Sequence, residues 1–255
     1  KGGTLNNLFD FGHIHPIEFP DDITSVSESF QHYIGSQSVA CALRDDSTSN
    51  DWEEAWDLEE KLLDISTNEQ SLKRRWLYRV ELAMGRGRFA ESLQELEDLP
   101  KVASLSDSFD VLCSDSYFLA TLLKSSAMAD ADLNKFSKYS TTIDATLTSQ
   151  HPSQRIAYWC VRWAHTIDQT SSPIVGKCCE HLINLMNEPA FTHDAAGVML
   201  ACELLDLKYR GLVDVDADSF MEQVLSNSAK STREWVAAHP PNADDWLAPL
   251  NFNYR

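Results

Sequence analysis

Apolar residues recur along most of this chain at the three- and four-residue spacing of amphipathic helices. The pattern is clearest over residues 51–65, 69–84 and 89–99, where tryptophan and leucine side chains share one face. Alternating runs of β-branched residues are almost absent, so the sequence predicts an all-α fold. Further predicted helices cover residues 22–34, 108–128, 131–149, 153–167, 173–186, 193–209 and 218–238.

Residues that begin and end helices lie between these apolar runs. Ser49 or Asn50 is predicted to cap the 51–65 helix, and Pro100 is predicted to end the 89–99 helix. Short connections place consecutive helices side by side as antiparallel hairpins. Successive hairpins are about 35–45 residues apart, a spacing typical of helical solenoids, but no clean sequence repeat is present. We therefore expect either an α-solenoid or an irregular helical bundle.

The two ends of the chain lack this helical spacing. The sequence predicts an extended N-terminal arm over residues 1–21, an all-helical domain over 22–239 and an aromatic C-terminal tail over 240–255. Both ends carry aromatic residues outside any predicted helix. Such residues either fold back over the terminal helices or dock on a partner.

The charge of the chain limits its partners. The net charge is −18, and residues 1–67 hold fourteen acids against three bases. Phosphates are repelled by such a surface, so we expect no direct contact with nucleic acid and no binding to an anionic membrane. A basic protein partner is compatible with this charge. Acidic surfaces also simply keep proteins soluble.

The cysteines indicate a reducing compartment. Five of the six cysteines fall inside apolar helical patterns, and no C-x-x-C pair is present, so they are interpreted as small core residues. No apolar run has the length of a membrane span, and no signal peptide is visible. The chain begins at Lys1 rather than Met, as a fragment of a longer protein would. The expected location is intracellular, in the cytoplasm or nucleus.

One segment, residues 73–100, has the sequence KRRWLYRVELAMGRGRFAESLQELEDLP. An aromatic residue opens its first helix, a small residue follows four positions later, a glycine makes the turn and an aromatic residue opens the second helix. These positions are taken by Trp76, Val80, Gly87 and Phe89. This order resembles the tetratricopeptide repeat (TPR), although Ala83 stands where that family has an aromatic residue. The resemblance implies TPR-like hairpins in a right-handed α-solenoid, with a concave peptide- or protein-binding surface.

The same segment concentrates positive charge, with six of the 21 basic residues between positions 73 and 88. Helical spacing places Arg75 and Arg79 together on the face opposite Trp76. Guanidinium groups pair bidentately with carboxylates, so this face is a candidate site for an acidic peptide. Its predicted residues are Arg75, Tyr78, Arg79, Leu82, Arg86 and Arg88. Alternatively, the arginines form ion pairs with the glutamates of the preceding helix, which are Glu53, Glu54, Glu59 and Glu60.

Catalytic, cofactor and metal motifs are not recognised in the sequence. Asp214, Asp216 and Asp218 alternate like the start of a calcium loop, but the glycine and the closing glutamate of that loop are missing, so helix capping is the preferred interpretation. His13 and His15 lack a third ligand at a recognisable spacing. We therefore expect no metal, no cofactor and no catalytic residue.

These features favour a non-enzymatic protein–protein interaction domain, acting as a scaffold or adaptor subunit of a larger complex. The alternative is an acidic inhibitor or chaperone, of the immunity or escort type, whose face over residues 45–64 binds a basic, nucleic-acid-binding client. A third class, an all-α enzyme, would require several titratable groups with perturbed pKa values in a concave pocket.

Overall fold

A computed structural model describes residues 48–66, 68–102, 116–147 and 154–238, with single positions and short stretches between 27 and 43. Within these residues the chain is helical and contains no strand, which confirms the predicted all-α class. The helices are α1 Ser49–Ile65, α2 Glu69–Gly85, α3 Phe89–Val102, α4 Ser116–Met128, α5 Leu133–Leu147, α6 Gln154–Thr166, α7 Pro173–Leu185, a 3₁₀ helix Pro189–Phe191, α8 Asp194–Tyr209, α9 Ala217–Asn227 and α10 Lys230–Ala238.

The helices divide into two compact units, with the boundary between Ala129 and Asp130. In the first unit α2 packs on both α1 and α3, and α3 packs on α4. In the second unit α6 packs on α5 and α7, and α8 packs on α9. The predicted arm (1–21) and tail (240–255) lie outside the described residues, as does most of the predicted 22–34 helix. None of the described helices is long and apolar enough to cross a membrane.

The start of α1 is fixed by a capping box one residue earlier than predicted. The Thr48 hydroxyl accepts a hydrogen bond from the Asp51 backbone N–H at 3.3 Å. In return, the Asp51 carboxylate accepts one from the Thr48 backbone N–H at 2.6 Å. These hydrogen bonds with Thr48 also lower the pKa of Asp51. Two backbone donors of the first turn are thereby satisfied.

Two tryptophans tie α2 to its neighbours in the first unit. The Trp52 indole of α1 donates to the Leu82 carbonyl of α2 at 2.8 Å, and the Trp76 indole of α2 donates to the Glu95 carbonyl of α3 at 2.9 Å. Pro100 does not end α3, which continues to Val102. The fixed φ of proline is compatible with a helix, and its missing N–H removes only one hydrogen bond in the last turn.

Trp163 of α6 is the centre of an aromatic cluster in the second unit. Its ring lies 5.1 Å from Phe136 and 6.1 Å from Tyr139 of α5, and its indole donates to the Ala131 carbonyl at 2.7 Å. The predicted core role of the cysteines is confirmed for the three buried ones that the structure describes, which are Cys160, Cys178 and Cys202.

The predicted single helix over 218–238 is wrong, because α9 ends at Asn227 and α10 begins at Lys230. The break is held by Asp194 at the start of α8. Its backbone N–H donates to the Ser228 hydroxyl at 2.6 Å, and its carboxylate accepts from the Ala229 N–H at 3.2 Å. The two helices therefore separate where a distant segment binds the backbone between them.

Candidate functional site

The six residues of the predicted binding face lie in three different environments. Arg75, Tyr78 and Leu82 are buried, Arg79 is half-buried, and only Arg86 and Arg88 are exposed. The reason is the central position of α2, which packs on α1 on one side and on α3 on the other. The exposed part of the predicted face is therefore the turn between α2 and α3.

Arg75 forms a buried ion pair with Glu59 of α1. Its Nη1 atom lies 3.1 Å from Glu59 Oε1, and the two side chains are 1% and 0% exposed. Gly35 packs directly against this pair, and a methyl group added there would overlap both side chains. Arg75 therefore makes the contact given by the alternative interpretation, an ion pair with a glutamate of the preceding helix.

Arg79 lies between two indole rings. Its guanidinium carbon is 4.4 Å from the centre of the Trp56 ring and 5.3 Å from that of Trp76. It also reaches Glu95 of α3, with Nη2 and Oε1 3.6 Å apart. The predicted placement of Arg79 opposite Trp76 is wrong, because residues three apart on a helix are neighbours and a long arginine side chain spans that gap. Burial raises the pKa of Glu95, and Arg79 opposes this shift.

Arg86 and Arg88 stack over the tryptophans of α1. The Trp52 and Trp56 rings are themselves stacked, with centres 5.0 Å apart. Arg86 and Arg88 lie 5.3 and 5.6 Å from the Trp52 ring centre, and Arg88 lies 5.8 Å from that of Trp56. We call this alternating set the Arg–Trp ladder. Its members are Trp52, Trp56, Trp76, Arg79, Arg86 and Arg88.

The turn backbone holds the two exposed arginines in place. Gly87 has a φ of 70°, a conformation that favours glycine, and the Arg88 N–H donates to the Ala83 carbonyl to close α2. Arg86 donates to the Thr48 carbonyl at 3.3 Å, and Arg88 pairs with Glu91 at 2.5 Å. A guanidinium has five N–H donors, so neither contact uses up its capacity. The turn therefore presents two exposed cations, each held by a hydrogen bond or an ion pair and by an indole ring.

An acidic face lies on the outer side of α1. Its exposed or part-exposed acids are Asp51, Glu53, Glu54, Asp57, Glu60 and Asp64, with Lys61 the single base of the helix. Glu59 is the exception, since it points inward to Arg75. The predicted acidic face over 45–64 therefore has its described part on α1, while Asp45 and Asp46 lie outside the described residues.

No family model, curated protein or solved structure matches this chain. Three groups of this chain's own side chains therefore carry the functional argument. They are the Arg–Trp ladder, the acidic face of α1 and one further cluster.

That cluster, which sequence reasoning missed, lies between α6 and α8 of the second unit. Asp206 accepts hydrogen bonds from the Tyr158 hydroxyl at 2.9 Å, from Arg162 at 2.6 Å and from Arg210 at 2.9 Å. Glu203 lies one turn earlier on α8 and is also buried. We call these five residues the α6–α8 network. Its signal in the sequence is two acids three positions apart within the apolar run 198–207.

Burial dominates the electrostatics of this network. It raises the pKa of the Tyr158 hydroxyl, and the neighbouring Asp206 carboxylate adds to that effect. It also raises the pKa of Glu203 to about 8, against the opposing charge of Arg155. Burial disfavours the Arg162 cation, but Tyr158 and Asp206 stabilise it and the net pKa is raised. The raised pKa of Glu203 favours its neutral form at neutral pH.

Two of the three aspartates in the calcium-like pattern have structural partners. Asp216 caps α9 by accepting from the Ser219 N–H and hydroxyl, which confirms the capping interpretation for that residue, and Asp218 pairs with Lys208. In the part of the chain that the structure describes, no three His, Cys, Asp or Glu side chains are grouped as metal ligands. His13 and His15 lie outside that part.

Proposed function

We propose that this chain is a non-enzymatic protein-interaction domain, a scaffold or adaptor subunit, which binds an acidic segment of its partner at the α2–α3 turn. The observation that supports this is the pair of exposed arginines stacked on Trp52 and Trp56. Stacking holds each guanidinium plane in one orientation, so less conformational entropy is lost when a carboxylate binds.

The existing contacts of the two arginines leave room for a partner. The Arg88–Glu91 pair is solvent-exposed on both sides, and such pairs contribute about 0–1 kcal/mol. Arg86 is held by a neutral carbonyl and a hydroxyl, which do not neutralise its charge. A partner carboxylate can therefore displace or join these contacts at low energetic cost.

The test is fluorescence anisotropy with a labelled ten-residue glutamate peptide, compared with a glutamine peptide of equal length. Arg86→Ala with Arg88→Ala is expected to weaken glutamate-peptide binding by about tenfold or more, because charge-assisted hydrogen bonds are lost. The matched control is Lys177→Ala with Lys230→Ala, which removes the same charge from two exposed lysines of the second unit. Equal loss in both double variants would reduce the effect to net charge and contradict the proposal.

A second candidate function is an inhibitor or chaperone that binds a basic client through the acidic face of α1. The observation that favours it is the run of exposed acids along one helix, with Lys61 the single base. Glu53, Asp57 and Glu60 follow each other at helical spacing, so their carboxylates lie along one side of α1.

A labelled ten-residue lysine peptide tests this candidate in the same assay. Glu53→Gln, Asp57→Asn and Glu60→Gln together are expected to weaken its binding, and the binding should decline steeply with salt. The control variant carries Glu180→Gln, Glu222→Gln and Glu234→Gln, which removes three exposed charges from the second unit. Weaker binding of the glutamate peptide to the arginine variant supports only the first candidate. Weaker binding of the lysine peptide to the α1 variant supports only the second.

A further inference from the structure

The contact between α6 and α8 joins two helical hairpins of the second unit, α6–α7 and α8–α9. Its side chains follow one another at helical spacing on both helices. On α6 they are Arg155, Tyr158 and Arg162, and on α8 they are Met199, Glu203, Asp206 and Arg210. The contact therefore contains several polar and charged groups between helices whose other buried residues are mainly apolar.

The two carboxyl groups of this contact have very different surroundings. Asp206 accepts three hydrogen bonds and is fully satisfied as a carboxylate. Glu203 is 1% exposed, and its Oε2 atom has no hydrogen-bond partner among the described residues. A charged carboxylate in that position would lack the donors that Asp206 has, so the neutral acid is favoured.

The groups around Glu203 can be named for each helix that packs on α8. From α6 come Arg155, which opposes the loss of charge, and Tyr158, and on α8 itself lies Cys202. The buried residues of α9 are Ala217, Phe220, Met221 and Val224, all apolar. Those of α7 are Ile174, Val175, Cys178, Leu182 and Leu185, and α7 also carries the half-buried His181. The 3₁₀ helix Pro189–Phe191 also packs on α8 and has no titratable side chain. Arg155 is therefore the main opposite charge, and it also donates to the Met199 sulfur at 3.8 Å.

We propose that the α6–α8 contact is proton-linked: Glu203 is neutral while the two helices are packed, and it releases its proton to solvent when they separate. Water then solvates the carboxylate, for which the packed contact does not provide enough hydrogen-bond donors. Rising pH favours the open arrangement, so the two hairpins form a pH-sensitive device within the domain. This inference concerns the second unit and does not depend on the proposed binding sites of the first.

The direction and range of the effect follow from linkage. The pKa of Glu203 rises from its ordinary value of 4.5 to about 8 in the packed state. The packed state therefore binds more protons between these values, and its stability falls as pH rises from about 4.5 to 8 and levels off above. The opening equilibrium should increase by about tenfold per pH unit inside that range.

Hydrogen exchange of backbone amides, measured by mass spectrometry between pH 5 and 9 and corrected for intrinsic rates, tests this. Wild-type α6 and α8 should lose protection with pH beyond the change seen in α2. Glu203→Gln, which keeps the neutral shape, should abolish that extra dependence. Glu222→Gln, at an exposed glutamate of α9, should leave it intact. The same dependence in wild type and Glu203→Gln would overturn the proposal.

A measurement on the wild-type chain alone guards against a variant that fails to fold. Infrared spectra with isotope-labelled glutamate should show a protonated glutamic acid at pH 7 whose carbonyl band disappears as pH rises past about 8. If every glutamate is already ionised at pH 6.5, the proposal is wrong.

Discussion

Two groups of arginines, one in each unit, are held in opposite ways. In the Arg–Trp ladder, three arginines stack on three indole rings, and Arg79 and Arg88 each add a separate carboxylate partner. In the α6–α8 network, Arg162 and Arg210 share the single carboxylate of Asp206 with the Tyr158 hydroxyl. The ladder distributes its interactions over several partners, whereas the network concentrates them on one residue.

The difference determines what happens when one partner is lost. A glutamate deprived of its arginine can take up a proton and become neutral, which Glu95 is already inclined to do because burial raises its pKa. A buried arginine deprived of its aspartate cannot lose its charge, since guanidinium groups stay protonated in proteins. We therefore expect the network to be sensitive to a single substitution and the ladder to be tolerant.

The largest effect is expected for Asp206→Ala. It leaves the buried Arg162 cation without its carboxylate, which costs about 3–5 kcal/mol of unfolding free energy. Urea-induced unfolding followed by circular dichroism measures this. As a control, Asp206→Leu combined with Arg162→Met and Tyr158→Phe replaces the shared partner and two donors with apolar groups and should recover most of the loss. If Asp206→Ala lowered the unfolding free energy by less than 1 kcal/mol, the network would not depend on Asp206 as we propose.

A smaller effect is expected for Arg79→Met in the ladder. The variant keeps much of the aliphatic packing between Trp56 and Trp76 but loses the cation–π contacts, for a cost of about 1–2 kcal/mol. Glu95 avoids a larger penalty by taking up a proton, so its pKa should rise further. The same urea experiment, with a glutamate titration by NMR, checks both expectations. A cost as large as that of Asp206→Ala would remove the distinction between the two regions.

Two helix ends, one in each unit, place different residues in the left-handed conformation. The turn after α2 has Gly87 with a φ of 70°, whereas the turn after α6 has Asp168 with a φ of 55°. Asp168→Gly is expected to stabilise the chain by about 0.5–1 kcal/mol, and Gly87→Asp to destabilise it by a similar amount. Thermal unfolding of both variants measures this, and equal signs for the two would refute the argument.

The sequence predicted well what depends on local spacing. Apolar periodicity was sufficient for the helix over 51–65, because its buried residues repeat every three to four positions, and it also predicted the helix over 69–84, which is buried on most sides. It failed where distant segments decide the outcome. The break at Ser228 is fixed by Asp194, more than thirty residues away. Likewise, the exposure of Arg86 and the burial of Arg75 depend on how α2 packs between α1 and α3, which spacing along one helix does not reveal.

The smallest change in unfolding free energy is expected for exposed ion pairs. Comparing an exposed pair with the buried Asp206 pairs tests whether burial causes the larger loss. Lys177 and Asp144 lie 2.5 Å apart, but their side chains are 56% and 43% exposed. Water and salt screen such a pair, so Lys177→Ala should change the unfolding free energy by less than about 0.5 kcal/mol.

Arg88→Ala in the ladder provides the comparison, because its pair with Glu91 is similarly exposed but its guanidinium also stacks on Trp52. Urea unfolding of the two variants in low and high salt separates the contributions: salt should remove any effect at Lys177 and leave the stacking part at Arg88. If Lys177→Ala proves as costly as Asp206→Ala, charge pairing itself, and not its burial, would explain the sensitivity of the second unit.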